Sequence, residues 1–204
     1  MGDTATQAKW DKLAPRFDGM ASRGAERRWA LWKRDLFGTM GHGKILFLAL
    51  GTGLDIPFFP AGRDITAIDI SPAMLEQAKP RIAAYDGRIE AQVMDVHDMP
   101  FADACFDQVF TSCTFCSVPR PTGGLKALHR VLKPGGSLNM FEHTGSTFYP
   151  FRHMLDMMTV LTAKVGPSMN RPTVANVKAA GFRVVAVENL FLDVVKTIRA
   201  VKPT

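Results

Sequence analysis

The stretch from Lys44 to Asp69 constrains this chain most. A short apolar run, 45–50, empties into Gly51-Thr52-Gly53, and a second strand-like run, 64–69, ends on a carboxylate. A strand that stops at small residues lets the backbone approach a ligand closely. An acid ending the next parallel strand accepts hydrogen bonds from both ribose hydroxyls. The pattern predicts an α/β fold around a nucleoside-bearing cofactor. Gly-x-Gly followed by an acid also suits a nicotinamide dinucleotide, but the third glycine of that fingerprint, needed for helix-on-strand packing, is replaced by Ile56.

The same alternation continues downstream. Strand-like runs at 44–50, 64–69, 89–94, 106–112, 137–142, 182–190 and 194–202 are interleaved with helical patterns at about 71–84, 122–132 and 148–180. Ser71 supplies a hydroxyl cap and Pro72 the first helical position. Lys133-Pro134-Gly135-Gly136 stops the helix through Leu132 and turns into the next strand. Little more than Asp193 separates the last two runs, too little for a crossover helix, so they are expected to pair antiparallel. The expected fold class is α/β: a single-domain, Rossmann-like, seven-stranded sheet, mostly parallel with its last strand antiparallel, and helices on both faces. Residues 1–43 form an N-terminal helical cap and 44–204 the core, with substrate-side helices within 148–180.

A chain of 204 residues with 47% hydrophobic and 22% charged residues is an ordinary globular domain. Its longest unbroken aliphatic or aromatic run is far shorter than the roughly 18 residues of a membrane span, so a cytoplasmic protein is expected. Three cysteines leave one over from any pairing. Cys113 and Cys116 have the spacing of a redox or zinc pair, but no second pair accompanies them, and no metal is expected.

The formal charge of +6 is concentrated in two segments. One holds Arg23, Arg27, Arg28, Lys33, Arg34 and Lys44 against Glu26 and Asp35; the other holds Arg152, Lys164, Arg171, Lys178 and Arg183 against Asp156. Ala25, Trp29, Trp32, Leu36 and Met40 form an apolar stripe at helical spacing, with Arg23, Arg27, Lys33 and Arg34 largely on other faces. The stripe suits a helix lying on an anionic membrane surface, or one packed on its own domain. Phe151, Met154, Leu155, Met158, Leu161 and Val165 make a second stripe, which serves equally as core or as a wall for an acyl chain. Aromatic-basic RNA motifs are absent, so nucleic acid is not expected as a partner.

Five segments in order, WDKLAPRFD (10–18), ALGTGLD (49–55), AIDISPAMLEQAK (67–79), VMDVHDMPFADACFD (93–107) and HRVLKPGGSL (129–138), resemble class I S-adenosylmethionine-dependent methyltransferases. The resemblance is to the group of ubiquinone/menaquinone methyltransferases and PmtA-type phospholipid N-methyltransferases. It implies S-adenosyl-L-methionine as cofactor, with S-adenosyl-L-homocysteine as product. Gly51, Thr52 and Gly53 would line its methionine end, Asp69 would hold the ribose, and Ile70 and Met74 would flank the adenine. Asp95 and Val96 would face the adenine edge, Ser112 and Cys113 would lie beneath the sulfonium, and Phe17 would belong to a segment that closes over the cofactor. Phe47 and Ala49 depart from the family's usual acid and first glycine. Turn glycines, a core methionine and loop-capping acids are the alternative readings of the same residues.

Methyl transfer is an in-line displacement that mainly requires a positioned nucleophile and exclusion of water. Glu142 and His143 end the fifth strand on the cofactor's edge of the sheet and are the candidate catalytic pair, His143 as proton acceptor. Tyr149, Arg152 and His153 follow as candidate acceptor-binding residues. The basic, apolar-striped segments favour a phospholipid amine as acceptor, with phosphatidylethanolamine methylated at the inner membrane surface. A small apolar thiol or a quinone is the alternative acceptor. A non-catalytic, membrane-peripheral binder with a degenerate cofactor fold is a third reading.

Overall fold

All four residues of Ile45–Leu48 are buried, as expected of a central parallel strand covered on both faces. This strand, β1, lies between β2 (Asp64–Asp69) and β4 (Phe106–Ser112), both parallel to it. The structure, a computed structural model, describes residues 3–21, 25–162 and 168–204. With β3 (Arg88–Val93), β5 (Leu132–His143), β6 (Arg183–Phe191) and β7 (Val195–Val201), the sheet has seven strands in the order β3-β2-β1-β4-β5-β7-β6. β7 alone runs antiparallel, pairing with both β5 and β6. The carboxyl ends of β1 to β5 therefore open on one edge, and the chain's winding reverses beside β1, where open α/β sheets bind ligands.

Helices cover both faces. α2 (Ala25–Phe37), α3 (Pro72–Ala83) and α5 (Phe151–Thr162) contribute Leu36, Leu75 and Leu155 to one apolar cluster. α4 (Pro121–Val131) and α6 (Thr173–Ala179) contribute Leu125, Leu128 and Val177 to the other. α1 (Thr4–Ala21) lies against α3. The α3 start is built as its sequence predicts: Ser71 Oγ accepts from the Met74 N–H, and proline fills the first turn.

Two expectations are corrected. The stripe on α2 is not a lipid-facing surface, since Leu36, Phe37 and Met40 are buried and Trp29 and Trp32 pack against the same cluster. Lys33, expected on another face, is buried with them. The helical pattern of 148–180 holds two helices, α5 and α6. Arg23, Lys164 and Val165, and the side chains of Ala25, Arg27 and Leu161, lie outside the described residues.

Candidate active site

Two adjoining cavities open at the carboxyl edge. The first, with free space of about 150 Å³, is lined by Asp69, Ile70, Met74, Asp95 and Val96 among others. Ile70 comes from the β2–α3 connection, Met74 from the first turn of α3, and Asp95 and Val96 from the loop after β3. Asp69 is 6% exposed and its carboxylate is fixed from both sides: Oδ2 accepts from the Gly51 N–H at 2.8 Å and Oδ1 from the Ser71 N–H at 2.9 Å. Burial raises its pKa, and those two backbone donors oppose the rise. Each oxygen retains a lone pair for a hydroxyl donor. Gly51 has φ +60°, and a Cβ there would meet nothing within 4 Å, so the backbone leaves open the space a ligand would approach.

α1 roofs this cavity. Asp3, Thr6, Trp10 and Phe17 line it from above. The helix and Asp3 just before it are clasped at three points: the Asp3 N–H donates to Asp95 Oδ2 (2.9 Å), Asp11 Oδ1 accepts from Ser71 Oγ (2.5 Å), and Asp18 Oδ1 accepts from Thr52 Oγ1 (2.5 Å). Arg81 adds a 2.7 Å ion pair to Asp18.

The second cavity is larger, about 250 Å³, and is lined by Trp29, Lys33, Leu54, Asp55, Phe141 and His143 among others. Phe17, Ala49, Gly51, Ser112 and Cys113 line both cavities, which places their junction at the ends of β1 and β4. Cys113 has φ +49° and presents surface to both. Protein nonetheless surrounds it, and that desolvation pushes its thiol well above the ordinary value, so it stays protonated near neutrality.

His143 reaches the second cavity, and its Nδ1 is buried with no hydrogen-bond partner among the described residues. Burial lowers its pKa from 6.5, which keeps the imidazole neutral at pH 7 and able to take a proton.

Several expected site residues lie elsewhere. Glu142 is 0% exposed and lines neither cavity; it accepts from Thr111 Oγ1 (2.8 Å) and from the N–H groups of Thr114 (3.2 Å) and Phe115 (3.1 Å). Consecutive strand residues point to opposite faces, so Glu142 and His143 cannot both reach the acceptor. Tyr149, Arg152 and His153 line neither cavity and are exposed, Tyr149 stacking edge-on against His153. Gly53 lines neither cavity: at φ +80° its missing Cβ makes room for Ile56, so it serves the turn. Thr52 faces the second cavity instead of the first. Phe47, in place of the family's acid, packs against Phe37 and Phe59 in the core. Asp3, Thr6, Trp10, His97 and Lys33 were not anticipated; the 3, 4, 7 spacing of Asp3, Thr6, Trp10 and Phe17 on one helical face was the available signal.

A family model described as a methyltransferase domain matches residues 46–140. A ubiquinone/menaquinone biosynthesis C-methyltransferase, UbiE, of Geotalea daltonii is 37% identical, over 72% of this chain and 67% of the relative. A demethylmenaquinone methyltransferase of Renibacterium salmoninarum is 34% identical, over 81% of this chain and 71% of the relative. The chain belongs to the S-adenosylmethionine-dependent methyltransferases of the ubiquinone/menaquinone group. Its fold also matches the solved structure of the [4+2]-cyclase SpnF, with a TM-score of 0.75 at 17% identity over 100% of this chain and 98% of that one. In this methyltransferase the first cavity fits the cofactor: Asp69 offers a ribose acceptor, Gly51 an open backbone and Ile70, Met74 and Val96 an apolar slot for the adenine. S-adenosylmethionine supplies an electrophilic methyl group when bound; the protein supplies the roof, the junction and the neutral imidazole. The relatives give no support to a special closeness to PmtA-type enzymes, and they are named for quinone rather than phospholipid methylation.

Proposed function

We propose that this enzyme methylates a ring carbon of a quinone-type acceptor in its reduced, hydroxylated form. The observation that carries the reading is the second cavity, an aromatic and apolar space that meets the cofactor cavity at Cys113 and has His143 on its wall. A flat ring between Phe17, Trp29 and Phe141 gains from aromatic contact. The relatives' names support the same acceptor class. The physical case against a phospholipid amine is one of charge. A second cation would enter a cavity that already holds the Lys33 ammonium, and the one carboxylate among the described residues of its lining, Asp55, is paired with that ammonium at 2.7 Å.

A quinone-type acceptor with an apolar tail partitions into lipid, and the segment after β5 suits such a surface. Phe148, Tyr149, Met157 and Val160 are 68–76% exposed, with Arg152 exposed among them, so contact with an anionic bilayer belongs to the proposal. Among the described residues no helix is long and apolar enough to cross a membrane.

The test offers labelled S-adenosylmethionine with a prenylated 1,4-naphthoquinol lacking the adjacent ring methyl, and separately with phosphatidylethanolamine vesicles. Label in the quinol is expected; label in the lipid alone overturns the reading. His143→Ala should lower kcat by about 10²–10⁴-fold while S-adenosylhomocysteine affinity stays unchanged.

A further inference from the structure

Lys33 is the least expected member of the second cavity. An ammonium withdrawn from water costs several kcal/mol unless it is paired, and a hydrophobic residue would occupy the same place without that cost. Lys33 is nevertheless 6% exposed, with Nζ 2.7 Å from Asp55 Oδ1 and 5.4 Å from the centre of the Phe141 ring. Both members of the pair line the cavity, where the other ionisable groups are His143 and Cys113. The pair joins the cap helix α2 to the turn after β1 on the wall of this cavity. An ammonium carries three N–H donors, so pairing with Asp55 and contact with an acceptor oxygen are compatible.

We propose that Lys33 is an acceptor-binding residue that holds the ionised ring oxygen next to the carbon being methylated. The inference rests on the quinol reading above and adds the form of the acceptor that reacts. A ring hydroxyl becomes an effective activator only when ionised, because its charge then delocalises onto the adjacent carbon. A cation beside the oxygen favours that ionised form and fixes which carbon faces the junction. The ring carbon's electron pair forms the new C–C bond, the C–S pair stays with sulfur, and the oxygen becomes a carbonyl. The proton left on the methylated carbon then passes to the His143 imidazole, which restores the aromatic ring and the oxyanion.

Lys33→Met and the double variant Lys33→Met/Asp55→Asn separate this role from a structural one, because the double variant removes both buried charges. Both should lose about 10²–10³-fold in kcat/KM for the prenylated naphthoquinol. Both should also show the acid limb of the pH profile moved up by at least about one unit, with S-adenosylhomocysteine affinity within twofold of the parent. Recovery of activity in the double variant would mean that Lys33 only balances Asp55, and the proposal falls. Activity of Lys33→Met equal to the parent's overturns it too. If the parent itself leaves the quinol unmethylated, the quinol reading has failed, and Lys33 is judged separately with 1-naphthol and S-adenosylhomocysteine. The bound naphthol's absorbance should show ionisation below its free pKa in the parent and not in Lys33→Met. No shift, or no naphthol binding, ends the proposal.

Discussion

Glu142 shows how one carboxyl serves the fold beside a reacting site. Burial pushes its pKa up to about 7, against the lowering effect of Thr111, Thr114 and Phe115. Its folded pKa therefore lies above its ordinary 4.5, and the stability it contributes is complete below about pH 4.5 and is lost as pH rises through about 7. Glu142→Gln should flatten that dependence between pH 5 and 8, measured by urea midpoints. Relative to the parent it should cost about 1–3 kcal/mol at pH 5, because an amide cannot accept from all three donors, and the deficit should shrink towards pH 8. Methyl transfer per folded molecule should persist; a loss like that of His143→Ala would return Glu142 to the reacting groups. The sequence made Glu142-His143 visible as an ionisable pair at a strand end, and strand alternation decides between them. Lys33 was not legible, because which face of α2 turns inward depends on what packs against it.

Among the elements, α1 departs most from what local sequence conveys. A helical cap over 1–43 was legible, but the partners of Asp3, Asp11 and Asp18 stand 92, 60 and 34 residues away, which no local pattern conveys. Together they hold Trp10 and Phe17 over the cofactor cavity, and a roof held by polar clasps must open for cofactor exchange. Asp11→Ala/Asp18→Ala should weaken S-adenosylhomocysteine binding roughly tenfold, about 1.4 kcal/mol, by calorimetry. The sheet does not depend on these clasps, so far-UV dichroism should be unchanged. Unaltered affinity would reduce α1 to a packed helix with no part in retaining the cofactor.

At the scale of the molecule, residues at or just past the ends of β1, β2, β3 and β4 converge on the first cavity because parallel strands share one carboxyl edge. The surroundings of the acceptor were less legible, because each stripe had two readings that only tertiary packing decides between. The stripe on α2 became core, while α5 buries Leu155 and leaves Met154, Met157, Met158 and Val160 38–76% exposed. The loop before α5 is tied to the β6–β7 turn, where Asp193 accepts from Ser146 Oγ and from the Thr147 N–H, both at 2.6 Å. That turn exposes Phe191 and Leu192, and Arg28 lies 4.5 Å from the Phe191 ring centre. An apolar, cation-edged surface thus adjoins the strand ends bearing His143 and Val195, both of which line the second cavity. If this surface meets lipid, Met157→Ser/Val160→Ser should lower partitioning onto anionic vesicles by at least about tenfold, given roughly 1.5–3 kcal/mol for each side chain fully buried. Methylation of a short-chain, water-soluble quinol should be untouched, because neither residue lines a cavity. Equal partitioning of variant and parent would detach α5 from the membrane, and acceptor delivery would then depend on the cavity mouth alone.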